Sequence, residues 1–294
     1  MGSIIPSIYA RLINSLFFYE INDDPYRRIY QEGSLTRFRI RKFLSEFQDK
    51  INLKLCQRAF VITKEILGKI LNENPGLQAT KFVELPSGAN TDLFRPMPVR
   101  ESRARLNIDL EEKYVGFAGT LLRHQGIDVL IDAAPLILEK ESSTRFVIIG
   151  EGPMKETWMK AVESKGLNMR FLFSGQIDYE DMPTWISAMD ICISPFVQSA
   201  GLRSPVKIFD YMACGKPVIA SRIEGTTDVF NQSEAIKFVE PGDTEALSDA
   251  IIDLLANQKK AAQLGENGRR FIVAKYDRKF LANRIYKEAF SCKH

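Results

Sequence analysis

The sequence is poor in the residues on which metal and redox chemistry most often rest. It holds two histidines, His124 and the C-terminal His294, so a zinc centre or a histidine-based triad has almost nothing to draw on. The four cysteines, Cys56, Cys192, Cys214 and Cys292, show no CxxC spacing and no pairing pattern, which reads as free thiols in a reducing compartment. No apolar run approaches the ~18 residues of a membrane span, and no signal peptide is recognisable. Lys and Arg are scattered, and the formal net charge of +3 is too small to indicate a nucleic-acid partner. Internal repeats and low-complexity tracts are also lacking.

What is present is 45% hydrophobic and 26% charged, a globular composition, in a chain of 294 residues with room for two domains. From residue 110 onward short apolar runs alternate with amphipathic ones. "YVGFAGT", "RFVIIGEGP", "RFLFSGQI", "DICISPF", "KPVIAS" and "AIKFVEPGD" read as strands. "GIDVLIDAAPLILEK", "MKETWMKAVESKG", "EDMPTWISAM", "SPVKIFDYMACG" and "TEALSDAIIDLLAN" read as helices, with Pro135 an irregularity inside the first. This beat predicts a parallel sheet covered on both faces, with ligands at the carboxyl ends of its strands. Residues 110–275 hold about six strand–helix steps, enough for a complete doubly wound domain.

Residues 1–95 hold only about three strands: one in "NSLFFYEINDDP", one from Ala59 to Thr63, and one in "KFVELPSGANTDLFRP". A helical pattern runs from Tyr26 to about Leu71 around the second of these, and residues 95–109, "RPMPVRESRARLNID", read as a linker. The tail, residues 276–294, continues a helical stretch broken near Tyr276-Asp277 and is expected to pack back on the N-terminal part. The start, "MGSIIPSIYA", reads as a chain entering in the middle of a fold.

The stretch "SPVKIFDYMACGKPVIAS" carries the first chemical signal. Ser204 suits a helix cap and Pro205 the first helical position, so the amides of Val206 and Lys207 face outward with the positive end of the helix dipole behind them. Such an end suits a diphosphate. Asp210, about one and a half turns on, offers a carboxylate to the vicinal hydroxyls of a ribose. In "FAGTLLRHQGIDVLIDA", Gly119 closes a strand so that a ligand can approach the backbone, and Arg123 is placed as a diphosphate clamp. The bland alternative makes Asp210 a solvated helix residue and Ser-Pro an ordinary helix start. "GEGP" admits a dinucleotide fingerprint, but Lys155 replaces its third glycine and no acidic residue follows at the right distance, leaving a strand-to-helix turn. His124 is either a phosphate neighbour or an exposed loop residue.

The order "VIIGEGP", "LFSGQI", "DICISPF", the Ser204 helix and "GKPVIAS" resembles the nucleotide-binding half of the retaining glycosyltransferases of family four (group 1). These have the GT-B architecture of two facing Rossmann-like domains. The resemblance covers most of residues 59–290, with "VELPSGANTDLFRP" resembling the family's interdomain linker. It implies an α/β fold of GT-B type, with a complete Rossmann-like domain at 110–275 and a partial one within 1–109. It further implies a nucleoside diphosphate sugar donor, a glycan or lipid-linked acceptor, retention at the anomeric carbon and no essential metal. The absence of any Asp-x-Asp pair agrees with the last point.

Several positions depart from the family pattern. In its Glu-x7-Glu motif the second acid is Asp210 here, and the first falls at Leu202, with Gln198 the nearest polar substitute. The loop Lys is Gln125 and the Arg after the strand glycine is Thr120, leaving Arg123, Arg203 and Lys207 to supply positive charge. "FFYEIND" resembles a strand late in the family's N-terminal domain, and the glycine-rich acceptor loop and histidine of the reaction centre are not found. The expected function is hexosyl transfer in cell-envelope polysaccharide or glycolipid synthesis, with no catalytic residue identified. The alternative is a non-catalytic or partner-dependent nucleotide-binding half, and an epimerase is weaker still. Residues 27–58 mix Arg and Lys with Phe38, Phe43 and Phe47, either a solvated helix face or a peripheral contact with anionic lipid. A partner chain covering an open sheet edge is a further expectation. A cytoplasmic location, peripheral to the inner face of the membrane, follows from these expectations.

Overall fold

In a computed structural model of the chain, the described residues are 5–21, 35–197, 206–223, 225–231 and 233–291. They divide into two units, one running to Ser87 and resuming at Lys279, the other from Gly88 through Arg278. The first unit opens with α1 (Ile5–Leu12), β1 (Phe18–Ile21), α2 (Leu35–Leu55), β2 (Arg58–Val61), α3 (Lys64–Glu73) and β3 (Phe82–Glu84). Its three strands pair in parallel in the order β1-β2-β3. Of the helical pattern read from Tyr26 to Leu71, residues 26–34 lie outside the described residues; the rest is α2 and α3 on either side of β2, whose Ala59, Phe60 and Val61 are buried as the strand read there requires. Thr63 caps α3, its Oγ1 accepting from the Ile66 amide at 3.2 Å. Ile21, Leu53, Val61, Ile66 and Ile70 make the core of this unit. From the chain's end, Leu281 packs with Phe60 and Leu85, and Arg284 donates to the Glu84 carbonyl at 3.1 Å.

α1 went unread in the sequence because its pattern is inverted. Ser7 and Ala10 face inward, Ser7 donating to Asn52 Oδ1 at 2.8 Å, while Ile5, Ile8, Tyr9 and Leu12 are exposed.

The second unit comprises α4 (Val99–Arg105), β4 (Lys113–Ala118), α5 (Ile127–Lys140), β5 (Thr144–Ile149), α6 (Lys155–Ser164), β6 (Phe171–Gly175), α7 (Met182–Ala188) and β7 (Ile191–Ser194). It continues with α8 (Val206–Ala213), β8 (Val218–Ser221), α9 (Thr227–Phe230), β9 (Ile236–Val239), α10 (Thr244–Ala256) and α11 (Gln258–Lys275), and reaches the first residue of α12 (Arg278–Ser291). The six strands are parallel in the order β6-β5-β4-β7-β8-β9. Alternate residues of the inner strands feed two cores, which is why those strands read as continuous apolar runs. Phe117, Phe146 and Ile148 pack against Ile127, Leu130, Ala134 and Leu254 on one face; Ala118, Val147 and Ile149 share the other core with Ile208, Phe209 and Met212. Pro135 sits on the exposed side of α5, where its lost amide costs least.

The segment read as a linker, residues 95–109, contains α4, and the division of the chain falls at Ser87/Gly88 rather than at 109. Arg103 is the reason. Buried to 5% exposure, it donates to the Ala188 carbonyl at 3.0 Å, the Leu110 carbonyl at 2.9 Å and Asp190 Oδ2 at 2.6 Å, which fastens α4 to the second unit. A buried cation with a partner on each of its nitrogens is invisible in a polar, proline-bearing string. No helix among the described residues is long and apolar enough to cross a membrane. Cys56, Cys192 and Cys214 are buried free thiols.

Candidate functional site

Strand order reverses between β4 and β7, so the carboxyl ends of these two strands open the crevice where doubly wound sheets take their ligands. α8 is tied to this point from below: the Ala118 amide at the end of β4 donates to the buried Tyr211 hydroxyl at 2.6 Å. The loops above the two strands are joined as well. The Val197 amide donates to the His124 carbonyl at 3.2 Å, and the His124 ring stacks on Phe196 at 5.9 Å between centroids. Gly126 begins α5 at φ +69°, and a Cβ there would run into the Pro195 carbonyl, so only glycine closes this seam.

Lys207 reaches back from the first turn of α8 into this crevice. Its ammonium donates to Gln125 Oε1 and lies 4.1 Å from the centre of the Phe117 ring and 5.0 Å from that of Phe196. A Cβ on Gly119 would stand 3.1 Å from its Cε and Nζ, so the bare strand end is what leaves room for the lysine. Among the described residues no carboxylate pairs with Lys207, and burial pushes its pKa down to about 7. An amide oxygen and two aromatic faces stabilise a cation only in part. The site therefore favours an incoming anion.

Asp210 stands three residues on, on the same side of α8. Its Oδ1 is buried without a hydrogen-bond partner among the described residues. Burial raises its pKa to about 7, with the Arg278 guanidinium opposing the rise. Arg278 is itself anchored, Nε donating to the Gly88 carbonyl at 3.2 Å and Nη1 to the Tyr179 hydroxyl at 2.9 Å. The Tyr179 ring meets Phe94 edge-on at 5.2 Å, and its hydroxyl is pushed up by burial, with Arg278 opposing and Asp210 adding to the shift. A buried cation without a counter-ion and a buried acceptor without a donor, one turn apart at a topological switch, are strained ionisations of the kind that cluster at functional sites.

Of the residues singled out in the sequence, Gly119 and Lys207 touch one another and Asp210 lies one turn away. Val206 is the first described residue of α8, its side chain exposed. Arg123 is exposed, with no ion pair among the described residues. Ser204, and with it Gln198, Leu202 and Arg203, lies outside the described residues. Gln125, read as a lost lysine, holds the ammonium of Lys207 instead, so positive charge reaches that loop from α8. Sequence reading missed Tyr179, Arg278 and the two aromatic faces; the only local trace of Arg278 was the helix break before it, where α11 ends at Lys275.

The model of the family described as glycosyl transferases group 1 matches residues 98–271. The GDP-mannose-dependent alpha-(1-6)-phosphatidylinositol monomannoside mannosyltransferase of Mycolicibacterium smegmatis is 30% identical over 194 residues, 64% of this chain and 51% of that protein. The chain spans about half the length of the curated relatives it matches. Among solved structures, Anabaena HepE in complex with UDP superposes with a TM-score of 0.77 at 18% identity, over 98% of this chain and 76% of that one. Sucrose-phosphate synthase from Thermosynechococcus elongatus gives 0.75 at 25% identity, over 98% and 72%. The fold is accordingly the α/β GT-B type with Rossmann-like units.

Proposed function

This chain belongs to the group 1 glycosyl transferases, and we propose that it binds a nucleoside diphosphate sugar at the β4–β7 crevice and transfers the sugar, with retention, to a glycan or lipid-linked acceptor of the cell envelope. The observation that carries the donor reading is the pair on α8: the Lys207 ammonium without a carboxylate and the Asp210 oxygen without a donor. A nucleoside diphosphate answers both, its phosphates meeting the cation and its ribose hydroxyls donating to the carboxylate. In this reading Ser204, the Val206 and Lys207 amides and Arg123 complete the diphosphate contacts beside Gly119.

Transfer breaks the bond between the anomeric carbon and the diphosphate, and negative charge grows on the leaving oxygen. A fixed cation in a partly desolvated crevice stabilises that charge more than water does. The acceptor hydroxyl attacks from the face the diphosphate leaves and gives its proton to the departing phosphate oxygen. The chain's own cations provide the neutralisation, so the proposal requires no metal. The relatives support a sugar nucleotide: the Mycolicibacterium protein is GDP-mannose-dependent, and HepE is seen in complex with UDP. The exposed Phe43, Leu44 and Phe47 of α2, followed by exposed Lys50 and Lys54, are assigned on the same reading to contact with anionic lipid.

Calorimetric titration of UDP, GDP and ADP tests the donor site. One of them is expected to bind, and Asp210→Ala or Lys207→Met to weaken it by about 10-fold or more, the worth of a charge-assisted hydrogen bond. Failure of all three nucleotides to bind overturns the proposal.

A further inference from the structure

Arg278 is the last residue of the second unit and the first of α12. Its Nε and Nη1 are committed to Gly88 and Tyr179, while Nη2 has no partner among the described residues. Asp210 Oδ1 likewise has none. The two groups attract one another electrostatically without forming a direct ion pair. Had they paired, each would have satisfied the other and neither would be open to a ligand. Held apart, they leave an acceptor and a donor to be bridged.

A hydroxyl bridges such a pair by itself, since its O–H donates to a carboxylate while its lone pair accepts from a guanidinium. A vicinal diol does so twice. Phosphate oxygens accept only and would be repelled by Asp210; a carbonyl cannot donate to it. The fit is to a diol.

We propose that Arg278 is a second ribose-binding residue, donating from Nη2 to the hydroxyls whose protons Asp210 accepts. This rests on the donor site proposed above. Tyr179 and Gly88 serve it by fixing the guanidinium in advance, and Phe94 fixes Tyr179 from the side. A free arginine loses much rotamer entropy on meeting a ligand, and one already held by two hydrogen bonds loses less.

The test compares a nucleoside diphosphate that the wild-type chain binds with its 2′,3′-dideoxy analogue, and with inorganic pyrophosphate as a control for folding. Arg278→Gln is expected to weaken the ribonucleotide about 10-fold and to leave the dideoxy analogue and pyrophosphate within about 2-fold. Arg278→Lys, which keeps a donor and a charge, is expected to recover part of the loss. Equal weakening of the ribonucleotide and the dideoxy analogue would make Arg278 a structural residue only and overturn the assignment, as would no weakening of either. If the wild type binds pyrophosphate but gains nothing from any ribonucleoside, the ribose assignment of Asp210 fails and that of Arg278 with it. If it binds none of these ligands, the donor reading itself is lost.

Discussion

Replacing Asp210 by Asn should stabilise the free protein while weakening nucleotide binding. The carboxylate's pKa is raised from 3.8 to about 7, chiefly by burial. The folded chain therefore holds this proton more tightly than the unfolded chain does. The cost of ionising it begins above about pH 4, grows as pH rises, and is complete above about pH 7. Three pH units correspond to about 4 kcal/mol. Residual solvent around a half-buried group brings this nearer 2 kcal/mol. Asn keeps the shape and removes the charge, though its amide also lacks a full set of partners, at about 1 kcal/mol. The net gain at pH 8.5 is then about 1–2 kcal/mol, or roughly 2–8 °C in melting temperature for a domain of this size. Melts followed by circular dichroism at pH 5 and pH 8.5, with and without nucleotide, check this. The variant should melt above the wild type at pH 8.5, by less at pH 5, and should gain less from a given concentration of nucleotide. A variant that melts lower at pH 8.5, or gains equally at both pH values, refutes the account of a carboxylate kept unsatisfied for its ligand.

Lys207 has the opposite sign: with its pKa lowered from 10.5 to about 7, the cost of its charge is full below pH 7 and fades as pH rises toward about 10.5. Lys207→Met should thus stabilise the free chain at pH 6 and not at pH 10.5, and wild-type nucleotide affinity should fall about 3-fold from pH 7 to pH 8, loss of the Lys207 proton being partly offset by ionisation of Asp210, measured by titration calorimetry. Gly126→Ala, at φ +69° against the Pro195 carbonyl, should lower stability by about 2 kcal/mol or more in urea unfolding; an unchanged midpoint would remove the seam between the β4 and β7 loops from the account. Flotation with vesicles containing anionic lipid should capture the wild-type chain, and the exchange of Phe43 and Phe47 for Ser should release it; equal capture by neutral vesicles would argue against the basic flank.

The sequence determined by itself whatever depends on neighbours along the chain. Strand–helix alternation gave the parallel sheet, because burial on both faces turns strands into apolar runs. Ser204, Val206, Lys207 and Asp210 were legible as a candidate anion and ribose site because a helix start and the spacing of its first two turns are local features. Gly119 was legible because a strand-ending glycine is. Local patterns misled where burial contradicted appearance. Arg103 made α4 look like linker, and the outward apolar face of α1 hid a helix. Tertiary structure alone decided the electrostatics. The Lys207–Gln125 hydrogen bond spans 82 residues and exists because β4 and β7, distant in sequence, lie side by side at the switch in strand order. The same crossing brings Tyr179 and Arg278 to Asp210. Whether a lysine is solvated or held half-buried without a counter-ion, and whether an aspartate finds a donor, is fixed by which distant segments the sheet's topology places around it, and no spacing along the chain encodes that.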